Sequence, residues 1–522
     1  MPNRNLSSYL SEMDAEYFDT VATFEVQTAD IRAVVIKLRD THGLSLKLVT
    51  ATDEREHSGC FKIWYVFAAA KAGITVIPYI KLTSELQFPS IALVFPEAFN
   101  YERQINTFFG LTPIVHPDTR PIILHENWPA NIAPLRKDVD WNIKPADAQG
   151  AYEFGVVEGE GIYEIPVGPI HAGIIEPGHF RFSMYGETMM MLEPRLGYTH
   201  KGSEKLFENL SIADGVRLSE KISGDSSFSH SLAFCQTVER LGQIEVPERA
   251  LYLRVIYAEL ERLANHLGDI GAIMLDAGFN FGGSNGSRLR EVVMRINERL
   301  TGSRFLRSVN KIGGVSKDIS EEESKQLSAD LKTLAKDFDE VISIAKTSAS
   351  LNNRLRGTGT LTRGIALSRG AVGVAARATG IAVDTRVDHP YAAYGALDVP
   401  PAAIENTGDV QARFKVRVSE VGSSVGIISQ ALEKMPRGSI LSACDSLQLQ
   451  KSAVAVSLVE GWRGEILYFI TTDARGALTR VVPRDPSYLN WALLSKAIVD
   501  NIIPDFPLIN KSFNLSYSGN DL

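Results

Sequence analysis

Over the first 140 residues the apolar positions come in short runs that mix alternation with β-branched and aromatic residues. Thr23-Phe24-Glu25-Val26, Leu46-Lys47-Leu48-Val49, Phe61-Lys62-Ile63-Trp64-Tyr65-Val66-Phe67 and Ile74-Thr75-Val76-Ile77 all fit this description, which predicts strands. A helical pattern around Asp30 to His42 separates the first two. Together they predict a small α/β domain over residues 1–140. Pro113, Pro117, Pro121, Pro129 and Pro134 then crowd one stretch. Each proline fixes φ and removes a donor, so that stretch reads as an extended connector. From about residue 245 the period changes. Ile256, Leu260, Leu263, Leu267, Ile270 and Met274 recur at alternating spacings of four and three behind Pro247-Glu248, one apolar stripe on a long helix. Leu327, Leu331, Leu334, Phe338 and Val341 mark a second helix, with Ser320 and Glu323 placed as a capping box. Stripes of this kind bury themselves in a bundle. Strand signals return near 160–193 and 464–471. The predicted fold is α+β: a small N-terminal α/β domain, then a mainly helical bundle over 141–522 with small peripheral sheets.

Composition narrows the partners. The 522 residues carry 54 Lys+Arg against 62 Asp+Glu, a formal charge of −8, so no basic face for nucleic acid is expected. Hydrophobic residues make up 44% and charged residues 22%, enough for a sizeable core. The three cysteines, Cys60, Cys235 and Cys444, are too far apart for a Cys-x-x-Cys pair. A disulfide framework, a self-contained Fe–S cluster and a Cys-rich zinc site are therefore not expected, and a reducing, cytoplasmic setting is. The N-terminus lacks the apolar core of a signal peptide. No uninterrupted apolar stretch of about 20 residues predicts a membrane span, which leaves docking on membrane subunits open. The phosphate-loop, His-Glu-x-x-His and Gly-x-Ser-x-Gly patterns are missing. Gly357-Thr358-Gly359-Thr360 lacks the strand–glycine–helix context of a nucleotide loop.

Four polar segments are candidates for chemistry. Gly168-Pro169-Ile170-His171 through Glu176-Pro177-Gly178-His179-Phe180-Arg181-Phe182 puts two histidines, a carboxylate and an arginine on a turn running into a strand. It reads either as a turn satisfying its own backbone or as a proton-handling loop. Gly197-Tyr198-Thr199-His200-Lys201-Gly202-Ser203-Glu204-Lys205 reads first as a helix start with solvated charges. Glu220-Lys221-Ile222-Ser223-Gly224-Asp225-Ser226-Ser227-Phe228-Ser229-His230 reads first as a hydroxyl-rich cap. Asp384-Thr385-Arg386-Val387-Asp388-His389-Pro390-Tyr391 reads equally as a surface strand or a buried polar network.

In this order the segments resemble one superfamily: the large subunit of group 4, energy-converting [NiFe] hydrogenases and the D-type subunit of NADH-quinone oxidoreductase. The carriers are Gly168-Pro169-x-His171, Tyr198-x-His200-Lys201-Gly202-x-Glu204-Lys205, Glu259-x-x-Arg262-x-x-Asn265-His266, Leu275-Asp276-x-Gly278, Arg288-x-Arg290-Glu291, Thr301-Gly302-x-Arg304-Phe305 and Asp384-x-Arg386-x-Asp388-x-Pro390-Tyr391. Ile174 to Phe182 looks like the formate hydrogenlyase and hydrogenase-4 branch. The N-terminal region resembles the C-type subunit of NADH-quinone oxidoreductase through Glu102-Arg103, Phe108-Phe109-Gly110-Leu111, His116-Pro117-Asp118-x-Arg120 and Trp128. The resemblance implies a fused C/D-type chain with the [NiFe]-hydrogenase large-subunit fold.

The chain departs from that family at its metal. Two Cys-x-x-Cys pairs hold nickel and iron in the active relatives. Ser223 and Ser226 stand at the first pair, and Ser516 and Gly519 at the second. Nickel and low-valent iron prefer soft thiolates to a hard hydroxyl, so no metal is expected here. The stop at Leu522, directly after the altered motif, fits loss of the nickel-linked tail cleavage of active relatives. The quinone branch is not matched cleanly either. Ile175 stands where its second histidine falls, and the head-group tyrosine position falls near Leu218.

What the resemblance implies is a large subunit of a membrane-associated, complex I-like oxidoreductase. It implies an Fe–S small subunit with a [4Fe–4S] cluster, integral membrane subunits with antiporter-like partners, and attachment to the cytoplasmic face of the membrane. This chain is expected to bind no cofactor of its own, except that a quinone in a cavity between subunits stays open; use of NAD(H) by the complex also stays open, because the flavin subunit that would handle it is a separate chain in the relatives. His171 and Asp276 are expected as a proton-coupled pair and Glu176 as a relay carboxylate, with Arg386 and Asp388 orienting the cavity wall. Ser223, Ser226, Ser516 and Gly519 are expected to line the emptied metal site. A non-redox coupling scaffold and a quinone reductase with an altered site are the alternatives.

Overall fold

A computed structural model describes residues 4–70, 73–172, 175–443 and 447–522. Cys444 and the Gly173-Ile174 part of the His171–Glu176 loop lie outside the described residues. The N-terminal part is built on a five-stranded sheet with spatial order Glu16–Phe18, Val21–Glu25, Thr75–Leu82, Cys60–Ala68, Ser45–Glu54. Only the Val21–Glu25 to Thr75–Leu82 pairing is parallel. The predicted strands are present, most of them longer at one or both ends. The Ile31–Asp40 helix buries Ile31, Val35 and Leu38, the four-and-three spacing of one helical face. The proline-rich stretch after Ile114 has no helix or strand until Ile162, and the predicted division at 140 falls inside it.

The bundle centres on the Glu248–Asp276 helix, which starts behind Pro247 as the sequence predicts. The predicted stripe understates its burial. Tyr252, Val255, Tyr257, Glu259, Arg262 and His266 are buried too, because the Asn280–Thr301 and Val410–Lys434 helices both pack along it. The second predicted helix spans Glu321–Thr347, and both halves of its Ser320–Glu323 capping box form. The Val410–Lys434 helix escapes the apolar-stripe pattern because Arg413, Arg417 and Glu420 point into the core. The fold is thus mixed α+β, with small sheets around helices.

The sheet Val454–Gly461, Gly464–Thr472, Leu478–Arg484 joins the two parts. Alternate residues of a strand face opposite ways. Leu458, Leu467, Phe469 and Val482 join the N-terminal core. Val459, Ile466, Tyr468, Ile470 and Val481 join the bundle core. Both faces are covered, so Gly464–Thr472 is buried at every residue and reads as a continuous apolar run. Its turn, Trp462-Arg463, points toward the site.

Candidate functional site

A cavity of about 790 Å³ opens where the Glu248–Asp276 helix, the Phe506–Phe513 helix, the His171–Glu176 loop and the last residues of the chain converge. Its volume suits an organic molecule. The apolar floor includes Val167, Phe180, Phe506, Leu515 and Tyr517, and the polar wall includes His171, Glu176, Ser223, Asp225, Asp276 and Ser516. Phe180 and Phe506 meet edge to face at 5.2 Å.

His171 Nε2 lies 2.7 Å from the Gly178 carbonyl. A carbonyl only accepts, so Nε2 carries the proton and Nδ1 is the basic nitrogen. The loop therefore both satisfies its own backbone and lines the cavity. The Ser518 N–H donates to Glu176 Oε2 at 3.2 Å. Asp276 ends its helix at the cavity mouth, exposed. Its remaining desolvation raises its carboxyl pKa, against the opposing charge of Lys511. Among the described residues no hydrogen bond joins His171 to Asp276; they share the cavity.

Deeper in, Ser223 Oγ lies 2.8 Å from Ser516 Oγ and 3.0 Å from Asp225 Oδ1. The Gly519 N–H donates to Ser516 Oγ at 2.9 Å. The Arg463 guanidinium grips Asp225 with both Nη atoms, at 2.6 and 2.7 Å. The same Nη1 lies 3.3 Å from Ser223 Oγ and 3.5 Å from Ser226 Oγ. Burial opposes ionisation of Asp225, but the Arg463 charge outweighs it and holds the carboxyl below its ordinary value. Ser226 is buried just behind. Gly519 abuts Asp485; a Cβ there would lie 2.6 Å from its carboxyl carbon. Asp485 in turn pairs with His230 at 3.0 Å.

Arg386 and Asp388 do not line the cavity. Arg386 is buried between Asp384, at 2.6 Å, and Glu259, at 3.0 Å. Asp388 accepts the Asp384 N–H at 3.0 Å. Asp384–Tyr391 is the buried network of its two readings, and a short Thr385–Asp388 helix replaces the strand. The charges of the Lys201–Lys205 segment are not all solvated, because Glu204 is buried against Arg480 at 2.7 Å. Arg463 is a site residue outside every candidate segment, and Asp225 lies inside one of them without a role of its own there. The signal for Arg463 was its place at a two-residue turn beside a strongly apolar strand. Among the described residues no group of three or more His, Cys, Asp and Glu side chains is placed to hold a metal ion.

Comparison with known proteins places this chain in a family. Residues 24–144 match the family described as respiratory-chain NADH dehydrogenase, 30 Kd subunit, and residues 283–455 match the 49 Kd subunit. Formate hydrogenlyase subunit 5 of Escherichia coli (strain K12) is 31% identical over 98% of this chain and 93% of its own length. Hydrogenase-4 component G of the same organism is 34% identical over 94% of this chain and 86% of its own length. The C/D subunit of NADH-quinone oxidoreductase from Phocaeicola vulgatus is 31% identical over 75% of this chain and 78% of its own length. The chain belongs to the family of fused 30 Kd/49 Kd-type core subunits that complex I and group 4 hydrogenase-related complexes share.

Proposed function

We propose that this chain is the cavity-bearing core subunit of a membrane-associated, complex I-like oxidoreductase that works without a nickel–iron centre. In this reading an Fe–S partner delivers electrons to an acceptor in the cavity, and integral membrane subunits couple the reaction to ion translocation. The carrying observation is the set of groups at the four ligand positions. Three are hydroxyls and one is a glycine filled by Asp485, with the Arg463 cation within 3.3 Å of Ser223. Hard neutral oxygens and a facing cation do not fit a soft-thiolate metal centre.

What remains is a cavity of organic-molecule size with an aromatic floor and proton-active groups at its mouth. A quinone head group is the class of acceptor this supports. Asp276, raised by partial burial, holds a proton more readily than an ordinary carboxyl. His171 Nε2 is spent on the Gly178 carbonyl, which leaves Nδ1 as the free lone pair of the ring. Proton transfer to a reduced acceptor is therefore the step these residues carry. No helix among the described residues is long and apolar enough to cross a membrane; attachment in this reading is peripheral, through partner subunits.

The test uses the purified whole complex, assayed for nickel content and for electron transfer to a short-chain quinone analogue. Less than one nickel per ten complexes is expected. His171→Ala and Asp276→Asn are each expected to lower quinone reduction at least tenfold while the complex stays assembled. Stoichiometric nickel, or unchanged turnover in both variants, overturns the proposal.

A further inference from the structure

Behind the cavity lies a network that the proposed chemistry does not use. It holds four carboxylates, Glu259, Asp384, Glu420 and Glu460, and three guanidiniums, Arg262, Arg377 and Arg386. His266 completes it, and none of the eight is more than 4% exposed. Arg386 bridges Asp384 and Glu259. Arg262 contacts Glu259 at 3.2 Å and Glu420 at 3.8 Å. Arg377 contacts Glu420 at 2.8 Å and Glu460 at 2.9 Å. His266 Nε2 lies 2.7 Å from Glu420 Oε2.

With His266 neutral, three cations against four anions leave the network at −1. Neighbouring charges do not cancel this. Asp269 and Arg417 pair with each other at 2.9 Å. Glu465 holds Lys47 and Arg484 at 2.9 and 2.6 Å, and Lys47 is 17% exposed, so part of its charge is spent on solvent. Asp388 adds a further carboxylate at the edge. Tyr391 and Tyr394 are neutral phenols, and burial pushes both pKa values up. An uncompensated charge in this interior is costly, and taking up a proton removes it.

The carboxylates are unequally served. Glu259 has Arg262, Arg386, Tyr394 and Ser424. Glu420 accepts from His266 and has two cations beside it, Arg262 and Arg377, although its Oε1 accepts no hydrogen bond among the described residues. Asp384 has the Arg386 fork plus the Arg386 backbone N–H. Among the described residues Glu460 has one cation, Arg377, and, at 3.1 Å, the Thr385 N–H. His266 is a poor alternative, because burial, together with the nearby Arg262 and Arg417 cations, disfavours its charged form and holds its pKa below the ordinary imidazole value.

We infer that this network binds one proton at neutral pH and that Glu460 is its seat, making it a proton-storing site beside the cavity. Desolvation of Glu460, with Asp384 facing it, acts in the same direction. The site rests on the proposed redox reading for its use, and two elements connect it to the cavity. The Glu460 strand runs through the Trp462-Arg463 turn into the Asp225 pair. Arg262 holds the Glu460 and Gly461 carbonyls at 2.6 and 3.0 Å. In use, the Glu460 O–H bond breaks, the network passes from neutral to −1, and the proton goes to the acceptor reduced in the cavity.

The test is infrared difference spectroscopy of the full-length chain at pH 7, in water and deuterium oxide. Glu97, Glu102 and Glu261, each pushed up to about 7 by desolvation, give protonated-carboxyl bands of their own, so the readout is the wild type minus Glu460→Gln difference spectrum, where one such band that shifts on deuteration is expected. Asp384→Asn, which neutralises the network without a proton, is expected to lose the band too, and it serves if Glu460→Gln does not fold. Thermal unfolding supplies a second readout. The unfolded carboxyl titrates near pH 4.3, so above about pH 5 the folded state carries the extra proton. Wild-type stability then falls as pH rises, by up to tenfold in the folding constant per unit until Glu460 ionises. That slope is expected to flatten in Glu460→Gln. A wild type minus variant spectrum with no carboxyl band for either variant, or equal slopes, overturns the inference. Any of these leaves the nickel and quinone assays, which test the redox reading, untouched.

Discussion

Asp225 and Arg463 meet across 238 residues of sequence and close the inner end of the cavity with a two-pronged ion pair. Asp225→Asn leaves the guanidinium without its countercharge. The expected loss is about 2 kcal/mol at pH 7, less than for a fully buried pair, because 34% of the Asp225 side chain stays accessible. The sign of the pH dependence follows from the lowered folded pKa. The pair's stability is present above the unfolded value, near pH 4, and is lost as pH falls through the folded one. Unfolding curves of wild type and Asp225→Asn are expected to converge below about pH 4; a gap that stays constant with pH defeats this account. Ser223, Ser226, Ser516 and Gly519 are legible only through the family resemblance, which says where two four-residue ligand motifs fall; by themselves they read as a hydroxyl-rich cap and a polar chain end. Nothing local announces that Arg463 reaches Asp225, or that Gly519 leaves room for Asp485. Arg386 and Asp388, expected to orient the cavity wall, sit in the buried network behind it, Arg386 against Glu259 and Asp388 on the Asp384 N–H.

At the scale of elements, the site depends on how closely two helices cross. Glu248–Asp276 and Asn280–Thr301 touch backbone to backbone, and a Cβ on Gly271 would lie 2.9 Å from the Gly286 Cα. This crossing places Asp276, Arg290 and Ser287 on one cavity wall. Gly286→Ala is expected to push the helices apart and cost about 2 kcal/mol, in the range for overpacking. It should also weaken binding of a quinone analogue in equilibrium titration, since both helices line the cavity. Gly364→Ala, at a helical position with open space for a Cβ, is the control and should leave binding unchanged. Equal effects of the two would remove the crossing as the cause. The Glu248–Asp276 and Glu321–Thr347 helices were legible from period and capping box. The Val410–Lys434 helix was not, because its inward face carries Arg413, Arg417 and Glu420, and buried charge paired across space erases the apolar stripe that signals a helix.

For the whole molecule, the sheet Val454–Arg484 decides whether the chain behaves as one unit or two. Leu467 and Phe469 bury into the N-terminal core, where Phe469 lies 5.8 Å from Trp64. Ile466, Tyr468 and Ile470 bury into the bundle. Polar contacts bind the same seam: Lys47 pairs with Glu465 at 2.9 Å, and Arg480 Nε donates to the Ala51 carbonyl at 3.1 Å. Sequence alone separated a domain over 1–140 from the rest, since a core shared by strands more than 300 residues apart has no local signature. A sheet with both faces in use cannot lose one neighbour without exposing an apolar face. Unfolding of the full chain is therefore expected to be a single transition. Leu467→Ala, which opens a cavity on the N-terminal side, is expected to cost roughly 2–5 kcal/mol and to lower the midpoint seen by Trp64 and by bundle probes together. A fragment of residues 141–522 is expected to bind a hydrophobic dye or precipitate. Two resolved transitions, with Leu467→Ala moving only the one that reports Trp64, would make the N-terminal domain an independent body docked on the bundle. The seam sheet would then belong to the bundle alone.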